Sequence, residues 1–299
     1  MKFIKKAAVL LLAFLMLLVP TTALADETNV TDTTTAESFV CYGDDLNSEQ
    51  FEKVMNLLGA DLSKDQLIKV TIDDEKALLG SIISADKIGS RSLSSARVTL
   101  TGEGTGISVT TQNINWVTSS MYSSALATAG VDNARIVVAA PVEVSGTAAL
   151  AGILKAYESA ASTQLSDEAK AVAGSEMVLT GDLADVIGSD DAVELLAMVK
   201  NAIAEYHLDD YDSLRPYVEQ GAKQLGVQLT EDQIDQITKL GVQIAKLDLD
   251  PEKLAGQLNG LVDNIQKIQK VQQSADSIFT NIKTAVQGFF NWIGSWFKR

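Results

Sequence analysis

The chain has 299 residues, 46% of them hydrophobic, and 24 basic against 39 acidic side chains give a formal net charge of −15. That balance excludes a nucleic-acid binder, whose phosphate contacts need a basic face. The length fits one large domain or two small ones, and a single cysteine, Cys41, rules out an intrachain disulfide.

Residues 1–25 read as a secretory leader. Lys2, Lys5 and Lys6 precede the apolar run Ala7–Val19, which is too short to span a bilayer; Pro20 breaks it, and Ala23-Leu24-Ala25 supplies the small residues of a cleavage site near Ala25. The expected product is secreted, either extracellular or associated with the cell envelope, and more acidic still once the three lysines are gone. Residues 26–45 are expected as a disordered leader, since Asp26–Ser38 is threonine-rich and nearly free of large apolar side chains. Cys41, just behind it, reads as a small buried apolar residue, because no motif frames it as a reactive thiol.

An α/β (or α+β) domain is expected over residues 46–162. Asn47 and Gln50 form a capping box with a Leu46/Phe51 staple for a helix near Ser48–Leu58. Ile68–Ile72 alternates as a strand, and Asp73 is placed to cap a helix through Ile83. Arg91–Leu100 and Ile107–Gln112 read as strands joined into a hairpin by the turn Thr101–Gly106. Thr118 caps a helix over Ser119–Ala129, with Gly130 at its C′ position. Ala134–Ala140 is an apolar strand ended by Pro141, and Ser145 caps a helix to about Ser159. The order from Ile68 onward is β-α-β-β-α-β-α.

Residues 163–250 read as an all-helical region, with segments near Ser166–Ile187, Asp190–Tyr206, Leu214–Leu225 and Glu231–Lys246. Val178–Thr180 suggests a short extended break in the first of them. From residue 251 to 299 a long amphipathic helix is expected, with Asp250 as cap and Pro251 at N1. Its seam runs through Leu254, Leu258, Leu261, Ile265, Ile268 and onward to Ile293 and Trp296, with one polar break at Gln272. Residues 252–299 carry six basic and three acidic side chains, and the aromatics Phe289, Phe290, Trp292, Trp296 and Phe297 crowd the end before Lys298-Arg299.

The chemistry-bearing patterns are few. One histidine, His207, and one cysteine cannot supply a histidine- or thiolate-based metal site, so neither metal nor cofactor is expected. Asp210, Asp212 and Ser213 lack the glycine and closing glutamate of a calcium loop. No phosphate-binding glycine motif or nucleophile elbow occurs. The best small-ligand candidate is Ser145-Gly146-Thr147, where free backbone N–H groups and two hydroxyls at a helix start make a small anion site beyond a strand end. Asn115 and Trp116 follow another strand end and are placed to line the same rim. The plainer alternative is that Ser145 caps the helix, Gly146 lets it pack closely, and Trp116 belongs to the core.

The block from Gly106 to Glu158, together with Ile88–Ser95 upstream and Leu247-Asp248-Leu249-Asp250 downstream, resembles a family of exported bacterial proteins, mostly Gram-positive, known as domain of unknown function 1002. The family carries no assigned activity, so no catalytic residue is carried over. The resemblance implies an exported, envelope-associated protein. The leading expectation is therefore a non-enzymatic envelope protein. It would contact an envelope protein, a membrane surface or a second copy of itself through the terminal helix, at Phe289, Trp292, Trp296, Phe297, Lys298 and Arg299. A small-ligand module binding an anion or wall fragment is the alternative, and a secreted hydrolase the third.

Overall fold

The computed structural model describes residues 38–80, 90–267 and 269–270. The expected leader at 1–25, most of the threonine-rich stretch, the seam from Ile268 onward and the aromatic-basic end Phe289–Arg299 lie outside the described residues. Strand β1 (Ser38–Gly43) is followed by α1 (Ser48–Leu58), β2 (Gln66–Val70), α2 (Ile72–Leu79), β3 (Ser95–Leu100), β4 (Ile107–Ile114), α3 (Ser119–Thr128), β5 (Ala134–Val144) and α4 (Thr147–Ala161). Helices α5 (Asp167–Ile187), α6 (Ser189–Tyr206), α7 (Tyr211–Leu225) and α8 (Glu231–Ala245) come next. A further helix, α9, begins at residue 251 and continues to residue 267.

The five strands form one mixed sheet in the order β2-β1-β3-β5-β4. β1 pairs parallel with β2, β4 parallel with β5, and β3 runs antiparallel between β1 and β5. Period-two alternation sorts the side chains. Phe39, Cys41, Val98, Ile136, Val138 and Val109 face a core shared with α3, α4 and α5. Val40, Val137 and Ala139 face α1, which covers the opposite side through Val54, Met55 and Leu58. Ala173, Met177 and Val178 of α5 enter the sheet core, while Leu183 and Val172 of the same helix enter a second core among α5–α8. The sheet and the helical region thus share α5, and Val193 of α6 and Ile265 of α9 also reach the sheet core.

Five expectations change. The expected leader over 26–45 overlaps an inner strand: β1 is a buried run, SFVCYG, hydrogen-bonded on both sides. The strands around Thr101–Gly106 are not a hairpin, because β5 lies between β3 and β4. Asn133 shows why, since its backbone O accepts from Thr101 N at 2.9 Å and its side-chain Oδ1 from Gly106 N at 3.0 Å. Pro141 does not end β5, which continues to Val144; β3 pairing has already stopped at Ala139, so the missing N–H leaves no gap in that ladder. The cap of α2 is Thr71 with Asp74 in a capping box, not Asp73. Val178–Thr180 is continuous helix. The capping box at Asn47/Gln50 forms as expected, a second forms at Thr230/Gln233, and Asp250 Oδ1 accepts from Glu252 N and Lys253 N at 2.9 and 3.2 Å.

The described part of the α9 seam is packed internally. Leu254 and Leu258 lie against Ala127 and Ala197, and Ile265 reaches the sheet core with Leu261 beside it.

Candidate functional site

The start of α4 is built by a strand end, a glycine and two hydroxyls. Its N-cap is Gly146, not Ser145, with φ at 96° and no side-chain cap bond. A Cβ there would come within 2.6 Å of both Ile114 Cγ2 and the Tyr122 hydroxyl oxygen, so both conformation and space demand glycine. The buried Tyr122 hydroxyl donates to Gly146 O and pins the turn. Ser145 Oγ and Thr147 Oγ1 lie 3.2 Å apart. Asn115 N donates to Val144 O at 3.0 Å, which keeps it beside the same turn. Trp116 instead turns to α5 and covers Gly181, where an added Cβ would sit 2.3 Å from the ring.

Thr147, only 1% exposed, donates its hydroxyl to Glu75 Oε1 of α2. The helix start expected to attract an anion therefore already faces a carboxyl supplied by the same chain. Glu75 is fully buried and its Oε2 has no hydrogen-bond partner. Burial pushes its carboxyl up to about 7, against the Thr147 hydrogen bond and Lys76, which favour the charged form. The space here is a pocket of about 20 Å³, bordered by Arg91, Ser94 and Ser145 as well. It has room for a water-sized group, not for a sugar or a phosphate.

A second polar cluster joins the sheet layer to the helical region. Lys200 Nζ of α6 contacts Glu176 Oε1 at 2.7 Å, Ser124 Oγ at 2.8 Å and Ser124 O at 3.0 Å; the Ser124 and Thr128 hydroxyls donate to the Glu176 carboxylate. Every charged atom is matched, and both charged side chains are fully enclosed. Burial pulls the Lys200 ammonium below the usual lysine range while Glu176 opposes the shift. A serine beside a lysine suggests a nucleophile and its base, but no opening leads to this pair. Cys41 is likewise shut in, its thiol pushed up to about 12 by burial.

Two larger openings lie elsewhere. A groove of about 750 Å³ runs between the turn Gly104–Gly106 and strand β4 on one side and α9 on the other. Ser119, Ser120 and Ser123 of α3 lie along it, with Ile107, Val109 and Leu261 as apolar contacts. The volume falls within the roughly 300–1,000 Å³ of ligand clefts. α9 contributes Gly256 and Gly260, both exposed, and a Cβ at either would meet nothing within 4 Å. The helix is held at this distance by Lys253 Nζ on Asp132 Oδ2 at 2.9 Å and by Gln257 Nε2 on Asp132 Oδ1 at 2.8 Å. β4 is a sheet edge, with no further strand paired to it among the described residues. A wider, shallower hollow beside His207, Asp248, Asp250 and Glu252 is acidic. No group of three or more His, Cys, Asp or Glu is placed to hold a metal ion among the described residues.

Sequence reading selected Ser145, Gly146, Thr147 and Asn115, which the fold brings to one turn, and Trp116, which it turns away. It missed Glu75 and the Lys200–Glu176 pair. Each of these lies on an apolar helical stripe: Glu75 between Ile72 and Leu79, Glu176 between Ala173 and Leu183, Lys200 between Val193 and Ile203. A charge in the buried stripe is a signal for a buried partner. The contact residues expected at Phe289–Arg299 are outside the described residues.

Comparison with known proteins agrees with the resemblance of the central block. The family described as protein of unknown function (DUF1002) matches residues 42–261. The uncharacterized protein YpuA of Bacillus subtilis (strain 168) is 34% identical over 285 residues, covering 93% of this chain and 96% of that protein. No solved structure matches the chain. The chain belongs to the DUF1002 family of proteins of unknown function.

Proposed function

We propose that this chain is an exported, non-enzymatic binding protein of the cell envelope that receives an extended polypeptide segment of an envelope partner in the groove between β4 and α9. The observation that carries the reading is the groove itself, walled on one side by a sheet edge. An edge strand offers a row of backbone donors and acceptors to an added strand, and pockets beside it select alternate side chains. The exposed glycines of α9 leave room for that strand's side chains. Support for export comes from the residues of the leader, Lys2 to Ala25, and support for an envelope location from the aromatic-basic end of the chain.

Filling the groove tests the reading. Gly256→Trp with Gly260→Trp places two rings where a Cβ meets open space, so folding stays intact. The expected result is loss of the protein from envelope fractions with a melting temperature close to the parent's. Unchanged fractionation of the filled variant contradicts groove binding. Deleting Phe289–Arg299 separates the second envelope contact: release on deletion alone, with the filled variant retained, assigns the attachment to the chain end.

A further inference from the structure

We infer that Glu75 is a proton-dependent latch that fastens α2 to the start of α4, closed when the carboxyl is protonated and loosened when it ionises. The inference stands apart from the groove reading. Its geometry is a carboxyl on the inner stripe of a two-turn helix, fully buried, with Oε1 taking the Thr147 hydroxyl and Oε2 unpartnered beside a water-sized space. An ionised carboxylate in that position is costly: the adjoining space holds at most a single water, and fuller hydration needs α2 to move off α4.

The charged surroundings do not neutralise it. On α2 itself, Asp74 is bound to Lys155 of α4, which removes that lysine as a partner, and Lys76 acts only at a distance. From residues 90–94, Arg91 borders the space but makes no ion pair with Glu75. On α3, the Tyr122 hydroxyl is committed to Gly146 O, and on β1 Cys41 is a buried neutral thiol. On α5, which also packs on α2, Glu176 is matched by Lys200, and Asp182 is exposed. What favours the anion is the Thr147 hydrogen bond and the N-terminal end of α4.

The test is backbone hydrogen exchange over residues 72–79 of the full chain, corrected for the intrinsic rate, between pH 5 and pH 8. The latch predicts that protection of this segment falls by roughly 10- to 100-fold across that range, because opening is coupled to loss of one proton. Glu75→Gln keeps the segment protected throughout. Thr147→Val, which removes the one hydroxyl favouring the carboxylate, moves the midpoint to lower proton concentration, that is, to higher pH. Asp74→Asn weakens protection by the same factor at every pH and so reports a merely structural fastening. Protection that is flat with pH in the parent chain overturns the latch, as does an equal pH-dependent loss in parent and Glu75→Gln. If Glu75→Gln does not fold, an unmoved midpoint in Thr147→Val overturns it in its place.

Discussion

Three buried ionisable groups stand out at residue scale, Glu75 alone and Lys200 paired with Glu176, and they lead to different expectations. Glu75 binds its proton more tightly folded than unfolded, since its carboxyl moves from an ordinary 4.5 up to about 7. The stability it allows is full below about pH 4.5 and is lost as pH rises through that window to 7, an effect on the order of 2–3 kcal/mol. Glu75→Gln should therefore raise the melting temperature above the parent's at pH 8 and leave it nearly unchanged at pH 4.5; a difference independent of pH would contradict this. Lys200 and Glu176 instead form a closed pair in which each charge is matched. Lys200→Met alone should cost about 3–5 kcal/mol in urea unfolding, because it strands a buried carboxylate. Adding Glu176→Leu should recover most of that loss; a double variant as unstable as the single one would contradict the pair. Neither pair of roles stood out in the sequence as function, because charge is read first as solvation. The stripe positions of Glu75, Glu176 and Lys200 were the legible sign.

Local chemistry accounts for most of the elements. The boxes at Asn47/Gln50 and Thr230/Gln233 and the Asp250-Pro251 start mark helix ends that the structure retains. What the sequence withholds is pairing. The turn at Thr101–Gly106 has hairpin composition, yet the partner of β3 is chosen by the apolar β5, which is more favourably buried between two neighbours than left at an edge. β1 was hidden because threonines and a charged stretch precede it and only six residues carry its pattern. On α9, Gly256 and Gly260 are exposed helix positions with free space around them. Changing each to alanine should stabilise the protein by about 0.5–1 kcal/mol, since glycine costs a helix that much. A loss of stability on thermal unfolding would mean that backbone packing, not open space, explains these glycines.

Taken whole, the described molecule is a mixed sheet with one helix on one face and helices on the other, joined to the helical region through α5, the buried Lys200 cluster and α9. Among the described residues no helix is long and apolar enough to cross a membrane. The helix start at Ser145–Thr147 is already faced by the Glu75 carboxyl from within the chain, and the described part of the α9 seam is packed on the molecule's own cores through Leu254, Leu258 and Ile265. Those two facts are why we propose the groove that α9 leaves open against β4 as the binding surface. A photo-reactive residue placed at Ser108, exposed on the groove side of β4, tests this most directly in intact cells, alongside the same residue placed at Val186, which is 62% exposed and outside the groove. The account predicts a discrete adduct from Ser108, none from Val186, and loss of the Ser108 adduct when Gly256→Trp and Gly260→Trp fill the groove. Adducts of equal yield from both positions, or one that survives the filled groove, would contradict it.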